Sequence, residues 1–113
     1  MSGGLKDAVG KPKMHKVSKE VIWEMQRVHD FGDNKYEEGN WRLGIPNALI
    51  EMTEAAKRHI DKLQDGLVED EESGLNHLAH ALVNLEILLY YFLHKKDYKD
   101  CLVFPLRPKR HKD

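Results

Sequence analysis

Apolar residues recur at helical spacing in three segments of the chain, and no segment alternates apolar and polar residues for long enough to predict a strand. Helices are predicted over residues 18–31, with Ser18 as N-cap and Gly32 as the terminator, over residues 46–64, and over residues 73–96. The apolar stripes are Val21, Ile22, Met25 and Val28 in the first helix and Leu49, Met52, Ala56, Ile60 and Leu63 in the second. This pattern predicts an all-α fold, a small bundle of three principal helices that oligomerisation completes.

The third helix is apolar around almost its whole circumference, so we expect it to be central and buried. At about 100° per residue, five polar residues still share an arc of about 100°. They are Ser73, Asn76, His77, His80 and Asn84. An unpaired buried polar group costs roughly 1–3 kcal/mol, so this arc is expected to line a pocket. The alternative is that His77 and His80 only form hydrogen bonds across the bundle to acidic residues of a neighbouring helix.

The second helix carries a charged stripe formed by Glu51, Glu54 and Arg58. Two carboxylates at i, i+3 can hold a hard cation such as Mg²⁺, and a guanidinium can clamp a phosphate. A solvated charged face is the alternative. If the stripe faces His77 and His80, the combination predicts a metal or acid/base site.

The segment between the first two helices is a loop rich in Gly and Asn, and it contains four residues suited to binding a ligand. They are Lys35, Tyr36, Asn40 and Trp41. They offer a cation for phosphate, an amide for a base edge or a sugar hydroxyl, and two aromatic faces for stacking. Trp41 can equally cap the core. In the acidic run before the third helix, Asp70 and Glu72 are placed where they can join a metal site, and a solvated turn is the alternative.

Composition excludes several classes of protein. A chain of 113 residues predicts one domain, and 18 Lys plus Arg against 19 Asp plus Glu give a formal charge of −1. A broad positive field is therefore absent, and a nucleic-acid polymer is not expected as partner. The single cysteine, Cys101, excludes an intramolecular disulfide and a zinc site built from several cysteines. No P-loop, dinucleotide-binding or acyl-transfer pattern is present.

We expect a basic arm at residues 1–17, the helical domain at 18–96, and a basic, Pro-containing tail at 97–113. The most apolar run, residues 78–93, is too short and too polar to cross a bilayer, so no membrane partner and a cytoplasmic location are expected.

Three groups of residues resemble a known family. They are Phe31-Gly32 with Lys35-Tyr36 and Asn40-Trp41, then Arg58-His59, and then the block Asp70-Glu-Glu-Ser-Gly-Leu-Asn-His-Leu-Ala-His-Ala81 with Asn84. Together they look like the small phage-encoded domain named for dATP/dGTP diphosphohydrolases, which is similar to MazG-like all-α nucleotide pyrophosphatases. The resemblance covers roughly residues 21–91.

This resemblance implies a purine deoxynucleoside triphosphate as ligand, hydrolysis at the α-phosphate to the monophosphate and pyrophosphate, and assistance by Mg²⁺ or Mn²⁺. It implies a nucleotide-binding role for Lys35, Tyr36, Asn40, Trp41, Arg58, His59 and Asn84. One departure concerns the metal, because the related pyrophosphatases carry Glu-x-x-Glu on one helix and Glu-x-x-Asp on the next. This chain has Glu51-Met-Thr-Glu54 followed by His77-Leu-Ala-His80.

The leading hypothesis is a metal-dependent nucleotide pyrophosphohydrolase that assembles as a homodimer or larger homo-oligomer. Glu51, Glu54 and Asp70 would hold the metal, with His77 or His80 as general base or ligand. A second hypothesis is a non-catalytic phage protein that sequesters a host signalling nucleotide, and a third is a small helical interaction protein without a ligand.

Overall fold

A computed structural model describes residues 10–35 and 39–105 and contains three long helices over these ranges. They are α1 (Lys19–Lys35), α2 (Ala48–Gln64) and α3 (His77–Leu93). Short 3₁₀ turns occupy Met14–Lys16, Asn40–Leu43 and Lys99–Cys101, and the only β-type pairing within the described ranges is an isolated bridge between Glu69 and Asn76. The predicted all-α class is therefore confirmed. No helix of the described residues has the length and apolar character needed to cross a membrane.

Helix α1 begins as predicted, because the Ser18 hydroxyl accepts the N–H of Val21 at 3.2 Å. The predicted end at Gly32 is wrong, since the helix continues to Lys35. Glycine in a helix costs only about 1 kcal/mol relative to alanine. Packing of Phe31 on the core and an ion pair between Lys35 and Glu72 at 2.8 Å stabilise the turn on either side of it.

Helix α3 begins four residues later than predicted, because the preceding residues form a tight turn around the Asp70 carboxylate. Its Oδ1 accepts the N–H groups of Glu72 at 3.0 Å and Ser73 at 2.9 Å. Such local hydrogen bonds compete with helix formation. Asn76 then caps the helix by accepting the N–H of Leu78 at 2.8 Å.

Helix α3 packs against both α1 and α2, which confirms its predicted central position. The buried apolar core comprises Val28, Ala48, Met52, Leu75, Ala79, Val83, Ile87, Leu88, Tyr91 and Cys101. Cys101 is only 4% exposed, so the core extends beyond α3 into residues that the sequence assigns to the tail. The rest of the predicted tail from residue 106, and residues 1–9 of the predicted arm, lie outside the described residues.

Tyr91 holds the turn Asn40–Leu43 against α3. Its hydroxyl donates to the carbonyl of Trp41 and accepts the N–H of Ile45 at 3.2 Å. Burial of this side chain raises the pKa of its phenol to about 12. The turn that carries Asn40 and Trp41 is thereby fixed in position relative to the central helix.

Candidate functional site

A cavity of about 470 Å³ opens between α1, the turn Asn40–Leu43, the bend around Asp70 and one face of α3. Apolar residues such as Val28, Ile45 and Ile87 line part of it, and polar and charged residues also line it. The volume lies within the usual range for small-molecule sites, roughly 300–1,000 Å³.

Most of the site residues expected from the sequence meet at this cavity. Its wall includes Lys35, Asn40, Trp41, His59, Asp70, His80 and Asn84. His77 lies outside the wall, is 1% exposed, and contacts His59 from the interior. The expectation that the polar face of the third helix lines a pocket thus holds for His80 and Asn84.

The charged stripe of α2 is not part of the cavity wall. Glu51, Glu54 and Arg58 are all exposed, and Glu54 pairs with Lys57 at 3.4 Å. The buried face of α2 is formed by residues such as Met52 and Ala56, which point away from this stripe. The roles predicted for these three residues stay predictions, and Tyr36 lies outside the described residues.

Three histidines form a cluster at the point where α2 meets the start of α3. The Nδ1 atoms of His59 and His77 are 2.8 Å apart and share a hydrogen bond. The ring of His80 stacks on that of His59, with 4.7 Å between the centroids and 8° between the planes. The second nitrogen of His80, Nε2, lies 2.6 Å from the hydroxyl of Ser73. The partners that His77 and His80 find are therefore an imidazole and a hydroxyl, not the acidic residues of the alternative interpretation.

Two of these histidines, His59 and His80, are expected to be uncharged near neutral pH. Burial, together with the repulsion from positive charge on the adjacent His80 and His77, lowers the pKa of His59 to about 4. Burial also lowers the pKa of His80. Burial alone would raise the pKa of Asp70, but the N–H of Ser73 and the nearby His80 outweigh it and lower the pKa. The site therefore combines neutral imidazoles with an ionised carboxylate.

Trp41 both packs on the core and forms part of the cavity wall, so the two interpretations of this residue are compatible. The edge of Tyr90 meets its ring, with centroids 5.0 Å apart. The guanidinium of Arg42 lies 4.5 Å from the ring centroid, within the range of a cation–π interaction. These contacts hold the indole in a defined orientation beside the cavity.

The structure adds two wall residues that sequence reasoning missed, His29 and Asp33. The Nε2 of His29 lies 2.6 Å from a carboxylate oxygen of Glu86, and this hydrogen bond raises the pKa of His29. Asp33 accepts the N–H of Gly39 at 3.0 Å. Both residues follow Met25 in steps of four, so their helical spacing was a signal that they share the inner face of α1.

Comparison with protein-family models gives one match that covers most of the chain. Residues 1–101 match the family model described as "dATP/dGTP diphosphohydrolase, N-terminal". The chain belongs to this family. The match confirms the resemblance carried by the blocks around Lys35, His59 and His77.

One relative with a similar name is the "dATP/dGTP diphosphohydrolase" of Salmonella phage PMBT28. It is 30% identical over 97 residues, which is 86% of this chain and 32% of the relative. The chain therefore spans about a third of that relative's length. No solved structure matches the chain.

Proposed function

We propose that the cavity binds a purine deoxynucleoside triphosphate and that the chain takes part in its hydrolysis to the monophosphate and pyrophosphate. The observation that carries this proposal is the combination, around one cavity, of an oriented indole, two amides, a lysine and neutral imidazoles. The family match supports the same class of ligand. The sequestration alternative gains no support, because the relative's name is that of a hydrolase.

The chemical character of the wall suggests how such a ligand is recognised. Trp41 offers an aromatic face for the base, and the amides of Asn40 and Asn84 can donate to and accept from a base edge or sugar. Lys35, which pairs with Glu72 at the cavity, supplies a cation for the polyphosphate. Arg58 is exposed next to His59 in sequence, and its predicted phosphate contact would require the ligand to extend past the cavity.

The reaction requires water to attack the α-phosphorus, the bond from that phosphorus to the bridging oxygen to break, and pyrophosphate to leave. A base must accept the proton of the attacking water. Of the two histidines expected to act here, we assign this role to His80, because it lies on the cavity wall whereas His77 is buried behind His59. Ser73 and the stacked ring of His59 keep the His80 imidazole in a fixed orientation.

A divalent cation, Mg²⁺ or Mn²⁺, remains part of the proposal. Mg²⁺ is usually held by one or two carboxylates together with substrate phosphates, and it neutralises the charge of the polyphosphate. The carboxylates on the cavity wall are those of Asp33, Asp70 and Glu72, which fit this chemistry. Glu51 and Glu54 do not fit it, because both are exposed away from the wall.

We further propose that two copies of the chain associate through α3. Its outer side presents an exposed apolar row made of Leu78, Leu85, Leu89 and Phe92. These residues recur at steps of seven, four and three, so they lie on one stripe of the helix. Large contiguous apolar patches are uncommon on monomeric proteins, and an apolar stripe meeting its own copy is self-complementary.

The test of nucleotide binding uses the two tryptophans of the chain. Trp41 is at the cavity, whereas Trp23 is 68% exposed on α1. In the variant W23F, dATP or dGTP should change the fluorescence of the remaining Trp41, and in the matched variant W41F the signal of Trp23 should stay constant. Pyrophosphate release with Mg²⁺ or Mn²⁺ then tests hydrolysis. A constant Trp41 signal and no pyrophosphate with either nucleotide would contradict the proposal.

A further inference from the structure

We propose that His59, Asp70 and His77 form a resident site for a divalent transition-metal ion of the zinc type, distinct from a cation carried by the nucleotide. A ligand atom from each of these three side chains lies within 4.8 Å of the other two. The site deepens the proposed function, because it lies beside the same cavity, but binding of the ion can be tested without any nucleotide.

The distance between the two imidazoles is close to the one that a single ion requires. Zinc lies about 2.0–2.1 Å from imidazole nitrogen and about 2.0–2.2 Å from carboxylate oxygen, so neighbouring ligand atoms in a tetrahedral site are roughly 3.3 Å apart. The two Nδ1 atoms of His59 and His77 are already 2.8 Å apart. The carboxylate of Asp70 offers the third ligand atom, within 4.8 Å of a nitrogen of each histidine.

The hydrogen bond between the imidazoles directs both Nδ1 atoms toward a common point. In the neutral pair, one Nδ1 carries the shared proton and the other accepts it. If each ring carries its proton on Nε2 instead, both Nδ1 lone pairs face the space between them. An ion in this space would take the place of the shared proton.

The third ligand is held in place by the backbone. Asp70 Oδ1 accepts two N–H groups of its own turn, and the Asp70 N–H donates to the carbonyl of Leu75 at 2.8 Å. On the adjoining strand-like segment, the N–H of His77 donates to the carbonyl of Val68 at 2.8 Å. These hydrogen bonds bring the two residues together across the bridge, although seven positions separate them in sequence. Because Oδ1 accepts both N–H groups, the other carboxylate oxygen, Oδ2, is the one that would bind a metal.

The donor set favours a transition ion over Mg²⁺. Imidazole nitrogen is a preferred ligand of zinc and its neighbours in the first transition row, whereas Mg²⁺ prefers oxygen ligands. Catalytic zinc sites commonly have two histidines, one carboxylate and an open fourth position. Since His59 and Asp70 both form part of the cavity wall, the open position would face the cavity. The ion would thus be placed to contact a phosphate oxygen or a water molecule there.

The experiment measures metal binding by the full chain after treatment with chelator. Zn²⁺ content is measured by elemental analysis after dialysis, and Co²⁺ is used as a spectroscopic probe of coordination in the visible range. We expect roughly one ion per chain, tetrahedral Co²⁺ bands, and no displacement by millimolar Mg²⁺. H59Q and D70N should weaken binding by about tenfold or more. The matched control is H94Q, because His94 is exposed at the end of α3.

Each outcome decides between the claims. H77Q is not used, because His77 is fully buried and its loss would affect folding, and circular dichroism checks that H59Q and D70N are folded. Less than about a tenth of an equivalent of Zn²⁺, or equal affinity in H59Q and H94Q, would overturn the metal site. Pyrophosphate release with Mg²⁺ from protein that binds no Zn²⁺ would overturn the site while supporting the proposed function. Zn²⁺ binding without nucleotide binding would support the site and contradict the function.

Discussion

The hydroxyl of Tyr91 supports the cavity wall, and removing it tests how the turn that bears Trp41 is held. The side chain is 0% exposed, and its hydroxyl joins the backbone of Trp41 and Ile45 to α3. Tyr91→Phe keeps the ring and its packing. It leaves the N–H of Ile45 without this acceptor, whereas the carbonyl of Trp41 keeps the N–H of Gly44 at 3.1 Å.

A buried polar group without a partner costs about 1–3 kcal/mol. One N–H loses its partner, the carbonyl of Trp41 loses one of two donors, and the neighbouring cavity gives water some access, so we expect the free energy of unfolding to fall by about 1–2 kcal/mol. For a domain of this size that loss corresponds to a decrease of roughly 5–10 °C in Tm.

The assay is urea unfolding followed by circular dichroism, with Tyr98→Phe as matched control. The Tyr98 hydroxyl donates to the carbonyl of Arg42 at 2.7 Å, in the same turn but at a more exposed position. We expect Y98F to lose less stability than Y91F, because water can replace the partner of an exposed hydroxyl. Equal losses in the two variants would refute the claim that buried hydrogen bonds of Tyr91 fix the turn.

Four further substitutions have defined outcomes. Gly32→Ala should raise the free energy of unfolding by roughly 0.5–1 kcal/mol, because a Cβ added at this position of α1 meets no atom within 4 Å. Gly44→Ala should lower the free energy of unfolding, since its φ is +99° and the thiol of Cys101 lies 3.1 Å from the added Cβ. The same sign for both in thermal melts would be inconsistent with this geometry. Glu86 raises the pKa of His29 above 6.5, so their pairing stabilises the fold fully below that pH and is lost as the pH rises through the raised pKa. The Tm gap between wild type and E86Q should therefore shrink from about pH 6 to pH 9, and a constant gap would exclude this linkage. Leu89→Glu should reduce the mass measured by light scattering to that of one 13.2 kDa chain, whereas an unchanged mass would rule out association through α3.

The existence and order of the helices followed from the sequence because the apolar stripes are long and regular. The ends were less predictable. Gly32 marks no helix end, since packing and an ion pair on either side offset its low helix propensity. The start of α3 depends on hydrogen bonds made by Asp70, which periodicity does not reveal.

Parts of the site were predictable because residues such as His80 and Asn84 share one face of a helix that is otherwise apolar. The convergence of His59 and Asp70 on His77 was not, since it depends on the crossing of α2 and α3 and on a turn that helical spacing does not describe. In the charged stripe of α2, by contrast, the sequence pattern indicated a site that the cavity does not include. Glu51 and Glu54 have metal-like spacing, yet the rotation of the helix leaves them exposed.

The most direct test of the central claim is to map where a purine nucleotide binds. Titration of dATP or dGTP into ¹⁵N-labelled protein, followed by two-dimensional NMR, reports on each backbone N–H and on the indole N–H. We expect the largest shifts at Gly32, Asn40 and the indole of Trp41, all at the cavity. Shifts confined to the exposed face of α2 around Glu51 and Arg58, or no shifts at millimolar nucleotide, would contradict the assignment of this cavity as the nucleotide site.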